Sequence, residues 1–411
     1  MINNISYTVG NKLCTGCGIC EDVCPTGSIK VRAENGEWRP SLNKDACLGN
    51  KCGRCLKVCP GVGCELDKLA ERFFKNENIK YDKYIGSYCS LHAGYSLDEW
   101  IRLHSASGGV VSQFLIYLLD KKIIDGAVVT AFSDKDHLTP TSYIARSKDD
   151  IIKARSSKYC PVSLNVVGNE MVKIDGRYII VGLPCHIQGF RKRAEIDRKF
   201  RERVVGYFSI YCSSNRTFGA RQYLLRKYQV ERDDVSYFAY RDNGCLGDLI
   251  IESSESRVEI PYVKYYGALR SFFKPHRCLT CIDHYGQLAD VSFGDIHIKP
   301  YSDDMIGFSS WIIRNPWFES LFNDAEKDGY IKMEEVDARI VNESQKAMLY
   351  PKERRAAAVT NIDKLLGRHV VSYGRRLPPP WIKRLFGGSC VPLSAIYRQA
   401  QEVVVDNRYI L

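Results

Sequence analysis

The chain has 411 residues, 45% of them hydrophobic and 26% charged, with a formal net charge of +11 at pH 7. This length exceeds one ordinary domain and the apolar content suffices for a globular core, so two or three domains are expected. No apolar run reaches the length of a membrane span, the N-terminus lacks a charged-then-apolar leader, and no motif supports nucleic-acid binding. The seventeen cysteines, with no secretion signal, point to a reducing, cytoplasmic setting and to metal ligation rather than disulfides. The positive charge has two readings: scattered surface Lys and Arg, or a field that steers an acidic donor or an anionic cofactor.

Residues 1–66 read as an α+β ferredoxin-like module. Cys14-x-x-Cys17-x-x-Cys20-x-x-x-Cys24-Pro25 has the bacterial spacing for a [4Fe–4S] cluster. Cys47-x4-Cys52-x-x-Cys55-x-x-x-Cys59-Pro60 repeats it with a longer first step. In such tandem runs three closely spaced thiolates serve one cluster, and the fourth, before proline, serves the other. The expected ligand sets are therefore Cys14, Cys17, Cys20 and Cys59, and Cys47, Cys52, Cys55 and Cys24. A zinc site would use pairs of pairs instead. Between the quartets, residues 29–40 read as a hairpin turning at Asn35-Gly36. Cys64 is left unassigned, and residues 67–95 read as a linker with a polar helix and then a Tyr-rich strand or loop.

Residues 96–335 read as a larger α/β domain with a mixed, partly parallel sheet. Ser105-Ala106-Ser107-Gly108-Gly109 leads into a run that places Val110, Val111, Phe114, Leu115, Leu118 and Leu119 on one helical stripe. Ser107 is the candidate N-cap. Bare amides at that helix start suit a phosphate; taken alone, the pattern is better explained by an ordinary capped core helix. A buried strand, AVVTAF, follows. Residues 151–167 read as helix–loop–helix around Ser156-Ser157-Lys158-Tyr159. Strands at 177–181 and 204–211 then end at Cys185 and Cys212, with a helix over 186–200 between them. In a parallel sheet those strand ends share one edge, where sites are built. Cys278-x-x-Cys281 and the strand 289–295, ending at Asp295, come next. Four thiolates, Cys185, Cys212, Cys278 and Cys281, make the count for a third cluster; buried core thiols are the alternative. Cys89, Cys160, Cys245 and Cys390 read as core thiols. Residues 311–336 suggest a helix and a strand. Residues 336–411 read as a C-terminal helical extension whose stretch PPPWIKRLFGG mixes basic and apolar residues.

Taken in order, the tandem cysteine module, SASGGVV, ARSSKYCPV, VGLPCHIQG, Tyr211-Cys212, YRDNG, RCLTC and ADVSFGD resemble the family of coenzyme F420 hydrogenase/dehydrogenase beta subunits over roughly residues 1 to 300. The resemblance implies an iron–sulfur flavoprotein that passes electrons between clusters and FAD, the flavin exchanging a hydride with an organic acceptor. It matches Ser105, Ser107, Gly108 and Gly109 to an FAD-binding turn. Ser157, Lys158 and Tyr159 match a second loop near the flavin, and Cys185, Cys212, Cys278 and Cys281 match the family's own cluster. On this reading Lys158 would stabilise the anionic reduced flavin. The expected donor is a ferredoxin or similar protein. The acceptor would be F420-like or a biosynthetic intermediate, since bacterial members occur beside polysaccharide-biosynthesis proteins. A non-catalytic relay subunit serving a partner enzyme, and a homo-oligomer, are also compatible with the resemblance.

Overall fold

The structure, a computed structural model, describes residues 3–75 and 77–377. The expected features at 378–388, Cys390 and the remainder to 411 lie outside the described residues.

The cysteine quartets are wrapped in short elements. α1 (Ser6–Gly10) precedes the first, α2 (Ile19–Asp22) carries Cys20, and α3 (Arg54–Lys57) carries Cys55. α2 and α3 each start from a left-handed glycine, Gly18 at φ 84 and Gly53 at φ 65. Each glycine follows the second cysteine of its quartet, so the same turn, open mainly to glycine, bends the chain around both sites. β1 (Ile29–Glu34) and β2 (Glu37–Leu42) form the expected hairpin. Asn35 and Gly36 turn it at φ 50 and 74, as a type I′ turn requires.

Residues 67–95, expected as a linker, enter the fold. α4 (Leu66–Phe73) and the hairpin β3 (Lys80–Asp82) and β4 (Gly86–Tyr88) lead to β5 (Ser90–Ser96), an inner strand of the main sheet. Helices and strands then alternate: α5 (Glu99–Leu103), α6 (Val110–Asp120), β6 (Gly126–Phe132), β7 (Pro140–Ala145), α7 (Lys148–Lys153), α8 (Val167–Lys173), β8 (Tyr178–Gly182), α9 (Pro184–Ile196), α10 (Arg198–Arg203) and β9 (Val204–Ile210). The single helix expected over 186–200 is two. Asp197 leaves helical geometry, and its carboxylate caps α10 by accepting from the Phe200 N–H at 3.1 Å. A side lobe follows: α11 (Gly219–Lys227), the antiparallel strands β10 (Val235–Asp242), β11 (Asp248–Ser253) and β12 (Arg257–Pro261), α12 (Tyr262–Phe272) and α13 (His276–Leu279). β13 (Val291–Asp295), β14 (Ser309–Ile313), α14 (Pro316–Lys327) and β15 (Ile331–Glu335) complete the sheet, and α15 (Ala338–Leu365) closes the described fold.

The main sheet has eight strands in the order β15-β5-β14-β13-β9-β8-β6-β7. β13, β9, β8 and β6 are mutually parallel, while β14, β5, β15 and β7 pair antiparallel, so the sheet is mixed and partly parallel as expected. Alternate residues feed two cores. Ala127, Val129, Ile179 and Phe208 face α6 and α14 on one side. Val128, Ile180 and Tyr207 face the other, in a core completed by Leu13, Ile19 and Val58 of the N-terminal segment and by Ile187 and Phe190 of α9. The cysteine-rich segment is therefore fused to the sheet through α9 by shared apolar burial.

Candidate functional site

The fold brings each expected quartet together. Cys14, Cys17, Cys20 and Cys59 line one pocket with Thr15, Gly16, Val31 and Pro40. Cys24, Cys47, Cys52 and Cys55 line a second. The cysteine before each proline thus crosses to the other set. Backbone amides aim at the sulfurs: Gly16 N–H at Cys14 (3.4 Å), Gly49 N–H at Cys47 (3.4 Å) and Gly61 N–H at Cys59 (3.3 Å). Burial and the neighbouring Cys59 push Cys14 up to about 12 and Cys17 up to about 11. Four thiolates in such a cage need cations among them. Among the described residues no three His, Cys, Asp or Glu side chains converge on a point that one ion could fill. Four cysteine sulfurs facing one pocket, with the spacing of each run, are the donor set of a [4Fe–4S] cluster.

A third set assembles at the sheet edge. β8 and β9 are adjacent and parallel, with Gly182 opposite Ser209, so Cys185 and Cys212 leave neighbouring strand ends together. α13 supplies Cys278, with Cys281 just beyond. The Cys185 thiol is raised by burial and by Cys17, Cys212, Cys278 and Cys281 around it. Cys17 belongs to the first quartet, so two of the sites adjoin. The same junction is tied by Lys192 Nζ, which donates to the Cys59 carbonyl at 2.9 Å, and by Arg277 Nη2, which donates to the Pro60 carbonyl at 3.3 Å. Cations surround this third set. Lys352, 2% exposed, donates to the Cys212 carbonyl at 2.5 Å and the Asp283 carbonyl at 2.7 Å. Arg277 donates to Tyr373 Oη at 2.8 Å, and Arg355 donates to the Ser213 carbonyl at 3.4 Å. Burial alone would raise the Cys281 thiol, but Lys352 and Arg277 hold it below its ordinary value. Lys352, Arg355 and Tyr373 come from the last described segment, where the sequence offers no motif.

The two loops expected at a flavin also meet. Ser105 is buried and its Oγ has no hydrogen-bond partner. Ser107 does not cap α6; its Oγ lies 3.0 Å from Ser309 Oγ, and the N-cap is Gly109 at φ 74, with no side-chain cap. Gly108 is packed against backbone: a Cβ there would lie 2.6 Å from the Gly94 carbonyl oxygen and 2.7 Å from Ser309 N. The amides opening α6 thus have no side-chain cap, and an orphaned hydroxyl lies beside them, which fits an anionic group such as a flavin phosphate. In the second loop Ser157 is half-buried beside Lys158. Lys158 does not offer a free cation. Its Nζ donates to the carbonyls of Ala154 (2.6 Å), Arg155 (2.5 Å) and Ser156 (3.2 Å), closing the end of α7, and burial takes it down to about 7. Tyr159 packs on Tyr240 and Tyr266 at ring distances of 5.4 and 4.7 Å.

Arg241, of the YRDNG motif, joins the loops. Its guanidinium donates to the Ala106 carbonyl and, at 2.7 Å, to Asp295 Oδ2, while its own carbonyl accepts from Ser156 Oγ. Asp242 accepts from His104 Nδ1 at 2.6 Å and from Tyr237 Oη at 2.7 Å. Of the expected core thiols, Cys160 is buried, but Cys89 and Cys245 are only half-buried.

Residues 91–167 match the family model described as coenzyme F420 hydrogenase/dehydrogenase, beta subunit N-term, and residues 175–339 match the model of its C terminus; together they span more than half of the chain. The chain belongs to the family of coenzyme F420 hydrogenase/dehydrogenase beta subunits. Residues 13–64 match a 4Fe-4S dicluster domain. This beta-subunit-like chain is 26% identical over 349 residues to the coenzyme F420-dependent sulfite reductase of Methanocaldococcus jannaschii, covering 81% of the chain but only 49% of that protein. It thus spans about half the length of that relative. It is also 26% identical over 267 residues to the coenzyme F420 hydrogenase beta subunit of Methanothermobacter thermautotrophicus, covering 62% of this chain and 86% of the relative. A chain of the F420-reducing [NiFe] hydrogenase complex from Methanosarcina barkeri shares the fold at a TM-score of 0.55, with 19% identity over 70% of this chain and 96% of that one. The family is one of hydrogenase and dehydrogenase subunits, and in this chain its two matched segments follow the dicluster match. Among the described residues no helix is long and apolar enough to cross a membrane.

Proposed function

We propose that the protein passes electrons from a ferredoxin-type donor through three [4Fe–4S] clusters to FAD and on to a small organic acceptor related to F420. Cys24, Cys47, Cys52 and Cys55 would hold the outermost cluster, Cys14, Cys17, Cys20 and Cys59 the next, and Cys185, Cys212, Cys278 and Cys281 the third. Ser105, Ser107, Gly108, Gly109, Ser157 and Tyr159 would line the flavin site. When bound, these groups supply one-electron transfer and, at the flavin, two-electron hydride exchange; the chain supplies position and electrostatics. Its α9 backbone and the Lys192 bridge hold the first quartet against the third. Lys352, Arg277 and Arg355 set a positive potential around the third set of thiolates. Lys158 shapes the second loop by closing α7, and Arg241 fixes that loop relative to Ser105–Gly109.

The observation that carries this reading is the succession itself. The first quartet adjoins the third set at Cys17, and the third set shares a strand edge with the loops that Arg241 joins. Protein purified without oxygen should contain roughly twelve irons per chain, three clusters of four, together with bound flavin. Ser107→Tyr should lose the flavin and keep the iron. Full flavin content in Ser107→Tyr would overturn the phosphate placement, and colourless protein free of iron and acid-labile sulfide would overturn the whole reading.

A further inference from the structure

Beyond Arg241, the edge of the sheet carries a constellation that electron transfer does not use. Asp295 ends β13 and accepts from Arg241 Nη1 at 2.7 Å and, on the same oxygen, from His297 Nε2 at 3.0 Å. The Cys245 side chain, from the turn after β10, lies close enough to His297 to favour its charged form. Cys245 packs beside the flavin loop: a Cβ at Gly307 would sit 2.8 Å from Cys245 Cβ and 3.3 Å from the Ser107 carbonyl carbon. From the other side α15 holds the histidine, whose backbone N–H donates to Ser344 Oγ at 2.7 Å, while Gln345 Nε2 donates to the Asp295 carbonyl at 2.8 Å. Those two α15 groups are uncharged, so the charged and titratable groups facing His297 are Asp295, Arg241 behind it, and the Cys245 thiol.

We propose that His297 is the proton donor for the acceptor, held by Asp295 and Arg241 at the mouth of the flavin loops; the inference rests on the oxidoreductase reading above. An acceptor that takes up a hydride gains two electrons and one proton, and it needs a second proton to quench the charge left on it. That proton leaves the His297 imidazolium, the ring becomes neutral, and it is recharged from solvent across a side chain that is 35% exposed. The other groups at this edge are unsuited. Arg241 does not deprotonate, Lys158 is committed to three carbonyls, burial takes Tyr159 up to about 12, and Arg241 keeps Asp295 ionised despite burial. His297 is itself opposed by burial, yet Asp295 and Cys245 raise it to about 9, so it carries its proton at neutral pH. Asp295 and Arg241 are positioning residues in this arrangement.

Two measurements on the holoprotein test the inference. Diethyl pyrocarbonate modifies neutral imidazole, and peptide mass spectrometry reads each histidine without turnover. His297 should stay unmodified at neutral pH and become reactive in Asp295→Asn. With F420 as the probe acceptor, His297→Gln should retain its flavin and iron, lose at least tenfold in F420 reduction, and lose the alkaline limb of the pH profile. Reduction of ferricyanide, which takes up no proton, should be unchanged. A His297 that reacts readily at neutral pH in the wild type, or a His297→Gln enzyme with wild-type rate and pH profile, would overturn the assignment. Wild-type protein that carries flavin but reduces no two-electron acceptor would instead sink the functional reading, while the modification pattern still decides the state of His297.

Discussion

Asp22→Ala tests whether the cysteine-rich segment is locked to the main sheet. Asp22 and Arg193 form an ion pair with side-chain exposures of 0% and 2%. Arg193 lies on α9, the helix that begins beside Cys185, and Asp22 lies between Cys20 and Cys24. The carboxylate also accepts from the Asn169 N–H at 2.8 Å. Removing one partner of a buried pair costs about 3–5 kcal/mol, because the other charge stays buried. Arg193 keeps Asp197 at 3.2 Å and Asn169 Oδ1 at 3.1 Å, which favours the lower end. At about 2.1 cal/mol/K per residue, a 411-residue chain unfolds with an entropy of roughly 0.9 kcal/mol/K, so the midpoint should fall by about 3–6 °C. The assay is anoxic thermal unfolding followed by loss of cluster absorbance. Pairing Asp22→Leu with Arg193→Met should recover most of the loss, since no charge is then stranded. Gly168→Ala gives an independent check, because a Cβ there would run into both Asp22 Oδ2 and Arg193 Nη1 and push the pair apart. An Asp22→Ala midpoint within about 1 °C of the parent would refute the reasoning, being well under the shift expected for a buried pair.

Lys352→Met should lower the reduction potential of the third cluster by about 40–130 mV, the one-electron equivalent of about 1–3 kcal/mol for losing a nearby charge at an effective dielectric near 20; an EPR-monitored titration reads it, and an unchanged potential would remove Lys352 from the site. The quartet of Cys24, Cys47, Cys52 and Cys55 has three half-buried members, whereas Cys14, Cys17, Cys20 and Cys59 are all buried. Under a chelator with mild oxidant the outer quartet should therefore surrender its iron first, as Cys24→Ser and Cys14→Ser variants would identify by Mössbauer spectroscopy. His297 rises from 6.5 to about 9 on folding. The native state then binds more protons than the unfolded one across that window, so the contribution of His297 is complete below 6.5 and is lost as pH rises through about 9. Thermal midpoints of the wild type should decline over that window more steeply than those of His297→Gln.

What the sequence disclosed was chemistry whose geometry is local or carried by strand order. Cysteine spacing forces three sulfurs onto one loop whatever else the chain does, so both quartets were legible, including the crossing of Cys24 and Cys59. Cys185 and Cys212 were legible for another reason: each follows a short apolar run, and adjacent parallel strands must end on one edge. Ser107 and Lys158 misled because their side chains had equally good partners elsewhere. Ser309 arrives from a strand two hundred positions on, and the carbonyls at the end of α7 satisfy an ammonium that a linear reading leaves free. Residues 67–95 misled because their three short strands and polar helix carry too little periodicity to reveal an inner strand.

The charge of the chain shows the same limit from the other side. A net +11 without a basic block reads as scattered surface, yet Arg193, Arg216, Arg277, Arg314 and Lys352 are all buried. Three of them, Arg216, Arg277 and Lys352, come from separate segments and meet around the third set of cysteines. Four thiolates around a cluster carry net negative charge, and a low-dielectric site tolerates that only where cations are built in alongside. Lys352 sits on a helix rich in exposed Lys, Arg and Glu, so nothing in its neighbourhood along the chain separates it from a solvated face. Only its hydrogen bonds to the Cys212 and Asp283 carbonyls do, and both partners lie far from it along the chain.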